Sequence, residues 1–196
     1  MVTLQLGLPD ALRDDAARMY WQAFGPKLSR VLGPEAKAQH LLTRAICANH
    51  ALTATEDGRL LGLCGFKTAR GSFVNATPDL MRGSYGRVGA AWRQAALGLL
   101  IQDTDNERFL IDGLCVDTPH RGRGIGTALL DAIGAEAARR GYPALRLDVV
   151  DTNTGAQRLY RRLGFQAVGR HPAGMAGALF GFQTTITMVR PLPRPH

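Results

Sequence analysis

The sequence predicts an α/β (α+β) domain, and three observations carry that prediction. Runs with the two-residue apolar alternation of strands are interleaved with runs spaced like amphipathic helices. The dipeptide Asp57-Gly58 joins two strand-like runs as a tight hairpin would. The loop Arg121-Gly122-Arg123-Gly124-Ile125-Gly126 follows an apolar strand-like run, Phe109 to Val116, and leads directly into a helix-like run at 127–140.

In chain order, residues 2–8 read as a first strand. Pro9-Asp10 opens an amphipathic helix to about Phe24, with Leu12, Ala16, Met19, Tyr20 and Ala23 on its inner stripe, and Gly25-Pro26 is expected to break it. A second helix starts near Gly33-Pro34 and ends near Ala48, and strands at 51–56 and 60–66 flank the Asp57-Gly58 turn. An insertion is expected over 68–108. It comprises a loop rich in Gly, Ser and Asn over 71–89, then a helix over about 90–100 with Ala91, Ala95 and Leu99 on its apolar side and Trp92 and Leu100 beside them. So short a helix needs a surface to lie on, either the mouth of a site or a dimer contact. Residues 145–150 alternate as a strand, and 153–163 form a short helix stopped by Gly164-Phe165. The Gly- and Ala-rich segment 171–182 covers one edge of the site, as a mobile or a closely packed lid, before a final strand at 184–189.

A chain of 196 residues that is 45% hydrophobic is long enough for one full core, placing a single domain at 1–190 and a Pro-rich tail at 191–196. The longest apolar run, 95–101, is too short to span a bilayer, and no basic start precedes a long apolar stretch, so a soluble cytoplasmic protein without a membrane partner is expected. Cys47, Cys64 and Cys115 are odd in number, widely spaced and in apolar surroundings, which predicts reduced thiols. His40, His50, His120, His171 and His196 share no ligand spacing with one another or with cysteine, so no metal is indicated.

The glycines at 122, 124 and 126 let the backbone turn tightly, and the N–H groups opening the next helix lack partners of their own, so the loop suits an anion. A P-loop would require Gly-Lys-Ser/Thr after four intervening residues. A dinucleotide fingerprint would require glycine at 127 or 129, which are Thr127 and Leu129. What remains is Arg-x-x-Gly-x-Gly running into a helix. Followed by a strand, Asn153, a helix bearing Tyr160, and Leu163-Gly164-Phe165, this order over 109–170 resembles the second half of the GNAT superfamily of acyl-CoA-dependent N-acetyltransferases.

The resemblance implies a mixed, mostly antiparallel sheet of about six to seven strands flanked by helices, with a splayed central strand pair. It implies acetyl-CoA as cosubstrate, its pyrophosphate on Arg121, Gly122, Arg123, Gly124, Ile125, Gly126 and Thr127. The pantetheine arm would lie on the backbone of Leu114, Cys115 and Val116, one N–H of which points at the thioester oxygen. Asn153, Gln157 and Tyr160 would face the coenzyme, the tyrosine donating a proton to the departing thiolate, and the loop at 25–33 would wall the acceptor pocket.

For the general base, ribosomal-protein amino-terminal acetyltransferases, a branch this segment resembles, place a glutamate five residues before the Asn; Asp148 stands there before Asn153. One methylene shorter, Asp148 would reach the amine through a bridging water. Asp112, on the preceding strand, is the rival base, and either carboxylate has a plain structural reading as a strand-end group bonded to backbone or arginine. Cys115 has no activating neighbour in sequence, so direct attack in a ternary complex is expected over an acetyl-cysteine intermediate.

The net charge of +8 is uneven. Arg121, Arg123, Arg158, Arg161 and Arg162 fall where the resemblance puts the coenzyme phosphates. Arg59, Lys67, Arg70, Arg82, Arg87 and Arg93 face only Asp79 over 58–102. That second group reads either as a solvated surface or as a site for an acidic partner such as RNA. Three function classes follow: an N-acetyltransferase for small amines or protein amino termini, a GNAT enzyme acting on RNA-borne amines such as aminoacyl-tRNA, and a non-catalytic acyl-CoA-binding domain. A homodimer is left open.

Overall fold

The β2 (Ala51–Glu56) and β3 (Arg59–Thr68) hairpin turns where expected, at Asp57 and Gly58, whose φ angles of 51° and 76° are the left-handed pair that such a turn requires. The computed structural model of the protein describes residues 1–99 and 107–193. The expected helix's last residue, Leu100, and the tail residues 194–196 lie outside them. The remaining strands are β1 (Thr3–Leu6), β4 (Gly71–Ser72), β5 (Phe109–Val116), β6 (Ala144–Val150), β7 (Gln166–Pro172) and β8 (Thr184–Pro191). They form one sheet in the order β1-β2-β3-β5-β6-β8-β7, with β4 folded back on β3. Every pairing is antiparallel except that of β5 with β6. The expected mixed, mostly antiparallel sheet is thus present.

Each face of the sheet carries its own apolar cluster. On one face α4 (Ile125–Arg139) and α5 (Thr154–Arg162) cover the sheet, with Leu129, Leu130, Ile133 and Ala137 of α4 fully buried at helical spacing. On the other lie α1 (Arg13–Leu32), α2 (Glu35–Ala45), α3 (Pro78–Gly98) and the short α6 (Gly174–Phe180).

The register of β3 against β5 pairs Gly65 with Gly113 and then Phe66 with Ile111, leaving Asp112 as the extra residue of a bulge. A one-residue bulge inverts the facing of everything beyond it. Phe109 and Ile111 therefore pack with the α4 cluster, and beyond the bulge Leu114 and Val116 take over that face while Cys115 turns to the α1 side.

Several expectations are corrected. Gly25-Pro26 does not end the first helix; α1 continues to Leu32 because residues on both sides of the proline, Met19 and Trp21 before it and Val31 and Leu32 after it, bury against the same core. Tertiary burial outweighs the roughly 3 kcal/mol that an interior proline costs. The segment expected as a loop over 71–89 is mostly helix: Thr77 caps α3 through its side chain to the Leu80 N–H, with Pro78 in the first turn, and Gly86 at φ 70° breaks the helix into two pieces. The apolar side expected for that helix is also reversed. Ala91, Trp92, Ala95 and Leu99 face solvent, whereas Met81, Ala90 and Ala96 are buried against α1 and α2. Arg93 explains the reversal, since its guanidinium lies 4.0 Å from the Tyr85 ring centre and 4.4 Å from that of Trp92 and donates to the Gly33 carbonyl, while Tyr85 donates to the Leu32 carbonyl.

The segment before the final strand is β7 followed by α6, and its packing is close. A Cβ on Gly177 would fall 2.4 Å from the Phe182 carbonyl oxygen, and Arg30 donates to the Ala178 carbonyl. No described helix is long and apolar enough to cross a membrane.

The facing glycines Gly65 and Gly113 make a flat place on the sheet. A Cβ on Gly65 would lie 2.8 Å from the fully buried Phe73 ring, and one on Gly113 3.2 Å from Phe24. Gly65→Ala is therefore expected to destabilise the protein by about 1–3 kcal/mol through overpacking, read as a lower urea midpoint at unchanged m-value.

Candidate active site

Three registered pairs, ending at Ile111 with Leu147, join β5 to β6; beyond them the strands part. This is the expected splay. The first residues past the fork are Asp112 on β5 and Asp148 on β6. Leu145, Leu147 and Val149 pack into the α4 cluster, so Asp148 points to the opposite face, the one covered by α1.

A cleft of about 740 Å³ runs through the fork. On the α4 side it is lined by Arg121, Gly122, Gly124, Ile125, Gly126, Thr127, Asn153, Tyr160 and Arg162, and along the strands by Leu114, Cys115, Val116 and residues 147–150. On the α1 side it meets Gln22, Ala23 and Phe24, and both Asp112 and Asp148 border it.

The loop geometry is that of an anion cradle. Gly122 and Gly124 have φ of 80° and 79°, and a Cβ on either would meet nothing within 4 Å, so glycine is required there by backbone angle and not by space. The first in-helix bond of α4 runs from the Ala128 N–H to the Gly124 carbonyl, so the N–H groups of Ile125, Gly126 and Thr127 are the unsatisfied first-turn donors. They sit at the positive end of the helix dipole. Arg121 is held to the Val116 carbonyl at 3.2 Å. These features fit the pyrophosphate of an acyl-CoA.

Not every expected residue lines the cleft. Arg123 turns away to Glu56 at 3.1 Å. Gln157 is buried; its side-chain nitrogen donates to the Val150 and Asp151 carbonyls at 3.2 and 3.0 Å, so it supports the turn between β6 and α5. Within that turn the Asn153 side-chain oxygen caps α5 at the Ala156 N–H, 3.1 Å, leaving its amide NH2 for a ligand. Arg161 is committed to Gln157, and Arg82 and Arg93 of the 58–102 group are paired with Asp79 and the two aromatic rings.

The titrating groups differ in their surroundings. Asp148 accepts from the Thr187 hydroxyl at 2.6 Å and lies 3.4 Å from the Arg146 guanidinium. Asp112 opens to the cleft but is walled by protein behind. That crowding raises its carboxyl above the ordinary carboxylate value, against the lowering effect of Lys67 and of the Val74 and Phe73 N–H groups. Burial also raises the Tyr160 phenol, with the acidic groups of Cys64 and Cys115 adding to the effect, so its hydroxyl keeps its proton through the neutral range. The Cys115 thiol, 2% exposed, is pushed up to about 12 by burial, with Arg121 only partly opposing it. Phe24, one of the aromatic residues that the sequence offered either as pocket lining or as core, does border the cleft, whereas Gln22 and Ala23 of α1 were not anticipated there, because their placement depends on how α1 crosses the sheet.

Comparison with known proteins agrees with this geometry. The sequence profile of the acetyltransferase (GNAT) family matches residues 13–165. A streptothricin acetyltransferase of Streptomyces lavendulae is 32% identical over 106 residues, 54% of this chain and 56% of that protein. The chain spans about half the length of the curated relatives it matches. Among solved structures, a nourseothricin acetyltransferase superposes with TM-score 0.50 at 26% identity, over 73% of this chain and 65% of that one. A ribosomal-protein alanine N-acetyltransferase of Escherichia coli shares the fold with TM-score 0.57 at 16% identity, over 100% and 97% of the two chains. The chain belongs to the acetyltransferase (GNAT) family.

Proposed function

We propose that the protein transfers the acetyl group of acetyl-CoA to the primary amine of a small molecule, by direct attack while both substrates are bound. The observation that carries this is the cleft's passage through the sheet, with anion donors at one end and carboxylates at the other. The likeness to a streptothricin acetyltransferase supports a small amine as acceptor. A protein amino terminus is the second reading, favoured by the spacing of Asp148, Asn153 and Tyr160.

Acetyl-CoA supplies an activated acyl thioester when bound. Arg121, the loop glycines and the Ile125, Gly126 and Thr127 N–H groups hold its pyrophosphate. Past the fork, the backbone of Leu114, Cys115 and Val116 has lost its β6 partner and pairs with the amide-bearing arm as it would with a strand. Asn153 adds its amide NH2, while Gln157 acts through the turn it supports. Asp148 takes the amine proton, through a water where its short side chain falls short, as the new bond makes that nitrogen more acidic. It is favoured over Asp112 because Thr187 and Arg146 fix it on the arm of the fork that continues into Asn153 and Tyr160. Tyr160, protonated at working pH, donates to the departing sulfur.

The deciding experiment measures thiol release from acetyl-CoA against small amines and against short peptides with free amino termini. Turnover of small amines is expected; turnover confined to peptides would replace the acceptor, and none with either would refute the transfer reading. Double-reciprocal plots should intersect, because a thiol with its pKa near 12 is a poor nucleophile, and parallel lines would instead indicate an acetyl-cysteine intermediate. Tyr160→Phe should lower kcat about 100-fold at every pH while the affinity for acetyl-CoA is kept. Gly124→Val places a branched residue at φ 79° and should weaken acetyl-CoA binding about tenfold, measured by calorimetry, with little change elsewhere in the fold.

A further inference from the structure

Asp112 is the carboxylate that acetyl transfer by Asp148 leaves unused, and its surroundings have a definite chemistry. The Gly65–Gly113 pair lets rings lie directly on the backbone of β3 and β5. Phe24 rests on Gly113 and borders the cleft; Tyr20 stacks against Phe24 with ring centres 4.5 Å apart, and Phe73 lies 5.9 Å from Tyr20. Tyr20 is close enough to Asp112 for the carboxylate to raise its phenol, after burial the next cause of that shift. No arginine or lysine nitrogen among the described residues lies within 4 Å of Asp112, and Lys67 acts on it only from farther away. A carboxylate that borders the same cleft as the Phe24 ring, with the Val74 and Phe73 N–H groups behind it and no near cation among the described residues, is a receptor for an organic ammonium ion.

From this juxtaposition we propose that Asp112, with the Phe24 ring that Tyr20 backs, binds a second ammonium group of the acceptor, so that the substrate class is a diamine or longer polyamine-like cation, one amine reacting at Asp148 while the other is held at Asp112. The inference rests on reading the cleft as an amine-acceptor site. It assigns Asp112 to binding and leaves the proton transfer elsewhere. Lys67 then competes with the ligand for the same carboxylate.

The test is calorimetric titration of the protein, saturated with coenzyme A, with 1,5-diaminopentane and with the matched monoamine 1-aminopentane, alongside their kcat/KM values. The wild-type protein should bind the diamine about ten to a hundred times more tightly. Asp112→Asn should abolish that difference, and Lys67→Met should enlarge it. Equal affinity for the two amines, or a difference that survives Asp112→Asn, overturns the proposal. If Asp112→Asn fails to fold, Lys67→Met decides: an unchanged or smaller difference overturns it. Diamine-selective binding with no turnover would sink the transfer reading and leave this acceptor class standing. Equal binding with turnover of both amines would do the reverse.

Discussion

The pairing of β5 with β6 lasts for three residues on each strand, and the site depends on where it stops. Unpaired backbone in a sheet interior is costly unless water or a ligand satisfies it. Here Leu114, Cys115 and Val116, paired to β3 on one side and without a β6 partner on the other, line a cleft that opens to both faces, and in the proposed reading that open edge receives an extended, amide-bearing chain. The Asp112 bulge lies at the same level. By inverting the facing of β5 it turns Cys115 away from the α4 cluster and brings Leu114 and Val116 toward it, where a Cβ on Gly126 would touch both at 3.7 to 3.8 Å.

The helix that follows the fork is fixed by burial and presents its free end by geometry. Leu129, Leu130, Ile133 and Ala137 seat α4 on β2, β3 and β5, and at Gly62 the approach is close enough that a Cβ would lie 3.2 Å from Ile125 and Leu129. A core contact on one side of the helix thus sets the position of the Ile125, Gly126 and Thr127 donors at its end. The loop glycines, with φ near 80°, let the chain leave β5 and enter α4 through backbone angles that other residues rarely adopt.

Much of this was legible in sequence because local signals and burial agree there. The loop's glycine spacing, the Asp57-Gly58 turn and the alternation of β5 and β6 each specify backbone geometry within a few residues. The Asn153 to Tyr160 spacing also holds, with both residues on the cleft. What was not legible depends on partners distant in sequence. Pro26 reads as a breaker until the burial of Val31 and Leu32 is known. Trp92 reads as core until Arg93 is seen between it and Tyr85. β7 is exposed at nearly every position and has no alternation to detect, being an edge strand paired only to β8. Gln157 shares a helix with Tyr160, and its commitment to the Val150 and Asp151 carbonyls appears only once the turn is folded.

The charge layout of the cleft gives it a direction. Arg121, Arg162 and the positive end of α4 lie at one mouth, while Asp112 and Asp148 lie past the fork on the α1 side. In a confined space of intermediate dielectric, such opposed fields repel a phosphate from the carboxylate end and an ammonium from the loop end. In the proposed reaction each substrate thereby has its own mouth before any specific contact forms. In that reading the two meet at the fork, where the strands are one residue past their last registered pair. Burial pushes the Cys115 thiol up to about 12, which favours, in the proposed reaction, a nucleophile delivered from the carboxylate side over the thiol.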